Sequence, residues 1–204
     1  MTHRIHCVQI VMAILTMTLL LASCGRKHPS ETDVTEIPRP RAYPRIQLYD
    51  TVYTDRHGLE AGFIVNEAAE VNRKMIAGSG QQPHSSGWAD VVYPAYSATL
   101  HCTFTPVDDS TRSQVVDNRT ERMALNIGGN TAEQIGLSTT SGYDAIVLTT
   151  VGSAVTPLQF VAAGRKWVVS GALTFEAESI DADSILPIIS AVRTDVIHAI
   201  KHLE

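Results

Sequence analysis

Hydrophobic residues follow three different patterns along this chain. The first is an almost unbroken apolar run from Val8 to Ala22, with the sequence VQIVMAILTMTLLLA, and Arg4 precedes it. This run is too short to cross a bilayer comfortably, and its basic start predicts a secretory signal at residues 1–23 rather than a membrane span. The other two patterns, with periods of two and of about 3.6 residues, occur after residue 42.

The period of two predicts half-buried strands, in which alternate side chains face the core. Strands are predicted at residues 45–53, 62–65, 88–93, 97–105, 145–150, 158–161 and 167–175. Two of these, 88–93 and 97–105, should form a pair joined across Pro94-Ala95-Tyr96. Residues 66–76 fit either a short helix or a strand with a turn, and residues 78–87 form a loop by composition.

The longer period predicts two helices. The first begins near Thr111, which with Gln114 has the spacing of a capping box, and ends at Gly128 because glycine accepts the left-handed conformation. Apolar positions of this helix recur at Val115, Val116, Met123 and Ile127, with Arg119 in the same series.

The second helix closes the chain. Asp183 is the expected N-cap, and Pro187 lies in the first turn, where a missing N–H costs nothing. One apolar stripe should pack on the sheet, formed by Ile185, Ile189, Val192, Val196, Ile200 and Leu203. The opposite side should carry the polar residues Arg193, Asp195, Lys201 and His202.

This order of elements predicts one α+β domain at residues 43–204, an α/β sandwich with a mainly antiparallel sheet and a long C-terminal helix. Residues 24–42 hold three prolines and few large apolar residues, so they predict an extended tether.

The cysteine residues indicate the cellular location of the protein. Leu21-Ala22-Ser23-Cys24 resembles the lipobox of bacterial lipoproteins, in which the thiol receives a diacylglycerol and the preceding peptide is removed. An ordinary signal peptide with a chance cysteine is the alternative. Cys7 would leave with the signal, so Cys102 would stay alone, either as a buried strand residue or as a reactive thiol. No acidic cluster follows Cys24, which favours a periplasm-facing position on the cell membrane or outer membrane.

The net charge of −5 excludes an extended basic surface for nucleic acid. A mildly acidic chain would not be drawn to anionic headgroups either, so the acyl chains on Cys24 would have to anchor it.

Catalytic sequence patterns are absent: the chain has no nucleophile elbow, phosphate-binding loop, dinucleotide fingerprint or H-E-x-x-H motif. His198 and His202 share a helix face at zinc-ligand spacing, but Lys201 lies between them. A third ligand would have to be His101 or an unplaced Asp, and the sequence supports neither. We therefore expect no enzyme activity, no metal and no cofactor beyond the covalent lipid.

Three Asp-Ser/Thr sites resemble an O-glycosylation sequon of gliding-type bacteria. They lie at Asp50-Thr51-Val52, Asp109-Ser110-Thr111 and Asp183-Ser184-Ile185, and Thr51 and Ser110 are the better candidates because they lie outside the last helix.

An ordered set of motifs resembles one family. These motifs are Asp90-Val91-Val92-Tyr93-Pro94, Ala98-Thr99-Leu100-His101, Gly152-Ser153-Ala154-Val155-Thr156-Pro157-Leu158-Gln159-Phe160, Gly171-Ala172-Leu173-Thr174-Phe175, and Asp183-Ser184-Ile185-Leu186-Pro187 with Arg193, Asp195 and His198. Together with the lipobox and residues 40–46, they resemble the gliding-motility lipoprotein family GldD. Many members of that family carry two cysteines that this chain lacks, so no disulfide is carried over, and residues 55–87 match poorly.

The resemblance implies a membrane-anchored accessory or assembly component of the gliding-motility and type IX secretion machinery, acting by contact with its protein components. The order of hairpin, helix, sheet and closing helix is also similar to the PsbP-like α/β/α sandwich. The segment with Ser153, Thr156, Pro157 and Gln159 is the candidate partner-binding loop, or else only shapes a turn beside the core. The alternative function is a lipoprotein that binds a small glycan or lipid, with Trp88, Tyr93 and Trp167 as pocket walls.

Overall fold

Three layers make up the folded part of the chain: a seven-stranded sheet has one helix on each face. This is a computed structural model, and it describes residues 46–75, 86–150, 152, 155–176 and 185–204. The predicted signal at 1–23, Cys24, the tether to residue 42 and the Asp183 cap lie outside the described residues.

The strands are β1 (Tyr53–Thr54), β2 (Val65–Asn66), β3 (Glu70–Met75), β4 (Gly87–Tyr93), β5 (Ala98–Pro106), β6 (Ala132–Ser138), β7 (Asp144–Thr150), β8 (Leu158–Ala163) and β9 (Trp167–Phe175). The helices are α1 (Arg112–Ile127) and α2 (Leu186–Lys201). Strands β1 and β2 pair with each other, and the others form the order β3-β4-β5-β9-β8-β7-β6 with every pair antiparallel. The predicted α+β class and mainly antiparallel sheet are confirmed.

The chain order of the elements explains the sheet. The predicted hairpin is confirmed as β4 and β5, joined by a 3₁₀ turn at Pro94–Tyr96. Helix α1 then carries the chain to the far edge, and β6, β7, β8 and β9 return strand by strand until β9 pairs with β5.

Helix α2 covers the first face of the sheet. Its predicted apolar stripe is confirmed, since all six residues are buried. Strand β5 presents Ala98, Leu100, Cys102 and Phe104 to the same layer, as alternation requires. The predicted polar side is wrong at Asp195, which is buried.

Helix α1 packs on the second face against the smaller core, where Met123 contacts a cluster with Leu148, Val161 and Val168. Its end at Gly128 is confirmed by a left-handed φ of 59°. The capping box is wrong, because the Thr111 side chain makes no cap hydrogen bond. The Asp108 carboxylate instead accepts bonds from Ser110 and Thr111, which lower its pKa to about 2.

The strand predicted at 45–53 is wrong over most of its length, since of its described residues, 46–53, only Tyr53 belongs to a strand. Backbone groups of this segment bond to side chains instead of to a neighbouring strand. The Tyr49 N–H donates to Tyr96 Oη at 2.6 Å, and the Asp50 carbonyl accepts from Asn66 Nδ2 at 3.0 Å. The strand predicted at 62–65 is present only as the short β2.

Strand β3 resolves the open choice at 66–76 in favour of a strand, and Gly87 belongs to β4 rather than to the predicted loop. Strand β6 was not predicted. It is an edge strand whose exposed positions carry Glu133, Gln134 and Gly136, so its apolar alternation is weak.

Cys102 lies in the middle of β5 and is buried, as one of the two alternatives for it predicted. Burial raises the pKa of its thiol above the ordinary value. The reactive-thiol alternative is therefore not favoured, because a thiol reacts as its thiolate.

Gly171 of β9 has no room for a side chain. A Cβ there would lie 2.5 Å from the Phe160 ring and 3.1 Å from the His101 carbonyl oxygen, whereas a Cβ at Gly136 would meet nothing within 4 Å. We expect Gly171→Ala to lower the free energy of unfolding by about 1–3 kcal/mol through overpacking. Urea unfolding followed by tryptophan fluorescence measures this change. Gly136→Ala is the matched control, and equal midpoints for the two variants would contradict the prediction.

Candidate functional site

The two faces of the sheet are covered to different extents. Helix α1 packs over β7, β8 and β9, and no helix in the described part of the chain covers β3, β4 and β5 on that face. Because strand side chains alternate, Thr99, His101 and Thr103 of β5 lie on this uncovered half. Trp88 and Asp90 of β4 lie beside them, paired in register with Thr103 and His101.

A groove of about 210 Å³ runs where the side of α1 meets the uncovered half. Its wall carries Arg119, Arg122 and Asn126, which lie on one side of the helix because they are spaced by three and four residues. Its floor is mixed: the polar residues His101, Thr103, Gln159 and Ser170 lie there together with Val161 and Ala172. We refer to these nine residues as the α1 groove.

Gln159 anchors α1 to the sheet. Its side chain is 1% exposed in β8, Asn126 Nδ2 donates to its Oε1 at 2.8 Å, and its Nε2 donates to the Met123 carbonyl at 3.5 Å. The prediction that Gln159 presents its amide to a partner is therefore wrong. A buried amide without these partners would cost free energy, so the bonds fix the position of the helix.

The other loop candidates differ in their environment. Pro157 is buried and its carbonyl accepts from the Thr150 N–H at 2.8 Å, so it closes the turn before β8. Thr156 is half-buried, and Ser153 lies outside the described residues. Thr51 and Ser110 are exposed, and Ser110 Oγ donates to Asp108 at 2.7 Å, so their glycosylation stays a prediction.

The two arginines of the α1 groove lack acidic partners among the described residues. Arg119 Nη2 donates only to Thr105 Oγ1, at 3.3 Å, and no ion pair includes Arg119 or Arg122. Burial and the neighbouring Arg122 charge lower the pKa of Arg119 below its ordinary value. The groove therefore holds two cations whose charge is uncompensated within the described chain.

His101 and Asp90 are in hydrogen-bond contact at the sheet end of the groove. His101 Nδ1 lies 2.6 Å from the Asp90 carboxylate, and His101 Nε2 lies 3.0 Å from Thr174 Oγ1. Both ring nitrogens of His101 thus have partners on neighbouring strands.

His198 and His202 stack on each other, with ring centroids 4.1 Å apart, and Tyr53 stacks on His198 at 3.6 Å. His202 Nδ1 contacts the His198 carbonyl at 2.8 Å. The residues described contain no group of three His, Cys, Asp or Glu side chains that could hold a metal ion.

Asp195 is the one buried acidic residue in the described part of the chain, with 8% of its surface exposed. Tyr53 Oη donates to its Oδ1 at 3.0 Å, Asn66 Nδ2 lies at 3.4 Å, and the Tyr93 hydroxyl also donates to it. Burial nevertheless raises the pKa of Asp195, because desolvation outweighs these bonds. The same contacts and burial raise the pKa of Tyr53 to about 12.

The three aromatic residues proposed as walls of a ligand pocket do not converge. Tyr93 is buried on the first face of β4, Trp88 lies on the second face with 49% of its surface exposed, and Trp167 packs against the α2 core. A larger recess of about 540 Å³ lies elsewhere, beside residues 47–52 and Ala95.

Sequence reasoning missed Arg122 and Asn126 and treated Arg119 as part of the packed face. The available signal was their spacing, which places a polar stripe next to the apolar positions Met123 and Ile127. That His101 lies opposite this stripe depends on the pairing of β5 with β9, which no local pattern encodes.

Fold and groove together define an α+β sandwich domain with one helix-covered face and one half-covered face. No helix among the described residues is long and apolar enough to cross a bilayer. Residues 33–204 match the family described as Gliding motility lipoprotein GldD, and the chain belongs to this family. It is thus a lipoprotein of gliding motility.

Neither the curated proteins nor the solved structures contain a match to the chain. The similarity to the PsbP-like sandwich therefore stays a prediction.

The raised pKa of Asp195 has a consequence for stability. The folded state holds this proton more tightly than the unfolded state, whose value is near 3.8, so the contribution of Asp195 to stability falls as pH rises above that value. We expect the free energy of unfolding of the wild type, relative to Asp195→Asn, to decrease with rising pH. Urea titrations between pH 4 and about 8 measure the difference. The exposed Asp117→Asn is the control, and parallel profiles for wild type and Asp195→Asn would contradict the assignment.

Proposed function

We propose that this gliding-motility lipoprotein is anchored by a lipid on Cys24 and acts by protein–protein contact, as an accessory or assembly component of the motility and type IX secretion machinery. The anchor would hold residues 43–204 on the periplasm-facing side of the cell membrane or outer membrane. Family membership supports the role in motility and the lipoprotein class.

The observation that carries the contact mechanism is the half-covered second face of the sheet. The first face of the sheet packs against α2 and part of the second face packs against α1, whereas β4 and β5 present Trp88, His101 and Thr103 beside the α1 groove, with Trp88 49% exposed. Tryptophan and arginine are enriched among the residues that dominate the energy of protein interfaces, and a polar rim surrounds such residues. Trp88 lies on this face, and Arg119 and Arg122 of the α1 groove border it together with polar residues.

Tethering would make a modest interface sufficient. A lipid anchor confines the domain to the membrane surface, so its effective concentration near a membrane partner rises without any new contact. The predicted extended tether would set the distance that the domain reaches.

The first test concerns the anchor. We expect Cys24→Ser to abolish incorporation of an alkyne-tagged palmitate and to move the protein from the membrane fraction to the soluble fraction, because the acylated thiol is lost. Cys7→Ser and Cys102→Ala should keep the label, since neither thiol receives lipid in this proposal. A labelled Cys24→Ser protein would disprove the anchor.

The second test concerns the face. In a strain that lacks the wild-type gene, we expect Trp88→Ala to reduce colony spreading and co-purification of motility proteins at unchanged abundance, because truncating an interface tryptophan costs about 2 kcal/mol or more. Leu125→Ala is the control, since Leu125 is 71% exposed on α1. Wild-type spreading of Trp88→Ala, together with a defect in Cys24→Ser, would keep the anchor and reject this face.

A further inference from the structure

The α1 groove is a local concentration of positive charge in an acidic protein. The whole chain carries 21 acidic and 16 basic residues, yet Arg119 and Arg122 lie three residues apart without a described acidic partner. The positions one helical turn from these arginines are occupied by Val115, Asn118, Met123 and Asn126, so α1 itself supplies no carboxylate there. Arg119 is half-buried and Arg122 is exposed, so the two guanidiniums can be reached by a ligand in the groove.

Carboxylates satisfy this arrangement best. A guanidinium presents a planar fork of N–H donors that matches a carboxylate with two parallel hydrogen bonds. We propose that the α1 groove binds an acidic segment of a partner protein, with one carboxylate on Arg119 and a second on Arg122. The inference rests on the proposed function, because it names the kind of partner that the half-covered face contacts.

The spacing of the groove residues fits a polypeptide. Side chains three residues apart on a helix lie roughly 5–6 Å apart at Cβ, and same-side residues of an extended segment repeat every 6.5–7 Å or so. One acidic residue at every second position would therefore meet both arginines. Asn126 uses one amide hydrogen toward Gln159 and keeps another, and the hydroxyls of Thr103 and Ser170 line the floor, so main-chain carbonyls of the segment would find donors.

Nearby acidic groups do not fill this role. The Asp90 carboxylate contacts His101 Nδ1 at 2.6 Å, and among the described residues it forms no ion pair with Arg119 or Arg122.

A membrane surface fits the groove less well than a segment does. Anionic headgroups form a plane that would face the whole domain, whose chain has a net charge of −5, and like charges repel.

The test uses the full-length lipoprotein in nanodiscs of neutral phosphatidylcholine. The probe is a fluorescent peptide with glutamate at every second position, and its partner probe carries glutamine instead. We expect anisotropy to show tighter binding of the glutamate peptide, weakened by salt, and a loss of about tenfold or more in Arg119→Gln/Arg122→Gln. Arg112→Gln, on the same helix but outside the groove, should bind as the wild type does.

Further arms separate the sources of negative charge. Arg119→Lys/Arg122→Lys keeps the charge but loses the fork, so it should bind less tightly than the wild type and more tightly than the glutamine variant. Inorganic phosphate that binds through the arginines while the glutamate peptide does not would overturn the proposal in favour of a small anion. Arginine-dependent binding only to phosphatidylglycerol vesicles would overturn it in favour of a lipid surface.

Equal binding of the two peptides, or full binding by a folded Arg119→Gln/Arg122→Gln variant, would also overturn it. Unchanged urea midpoints show that the variants are folded. The outcome is independent of the Trp88→Ala spreading test: normal peptide binding without a spreading defect would reject the proposed face, and the reverse result would reject only the acidic segment.

Discussion

One buried carboxyl group connects the short β1–β2 strand pair to helix α2 and to the main sheet. Asp195 on α2 accepts hydrogen bonds from Tyr53 in β1, Asn66 in β2 and Tyr93 in β4. Burying a charge is unfavourable unless hydrogen bonds compensate, so these donors have to lie around it. A strand pair of two residues each could not persist alone, and this contact holds it against both the helix and the main sheet.

The two faces of the sheet therefore differ in how much of their surface is packed. The first face and α2 are committed to packing and to the Asp195 contacts. The second face is packed only beneath α1, where the Gln159–Asn126 bond fixes the helix at one position on the sheet. The rigid boundary between covered and uncovered halves is what creates the α1 groove, and a site on rigid elements holds its side chains more accurately than a loop does.

Local patterns were enough for the hairpin, both helices and the buried stripe of α2, because each of these elements shows its period in its own residues. Local patterns gave wrong predictions where contacts with residues distant in sequence determine the structure. The backbone of Tyr49 bonds to the Tyr96 side chain, so alternation at 45–53 did not produce a long strand. Asp195 was predicted on the polar side of α2, since nothing near it in sequence reveals Tyr53 and Tyr93. The groove was missed for the same reason, as its wall and floor come from α1, β5, β8 and β9.

The burial of Cys102 has a consequence for the oxidation of its thiol. If Cys24 carries lipid and Cys7 is removed, Cys102 is the one thiol that stays free, and its side chain faces the core beneath α2. Oxidants or disulfide catalysts in the envelope reach it only when α2 separates from the first face of the sheet. Oxidation would then leave a larger, polar group that the closed core cannot accommodate.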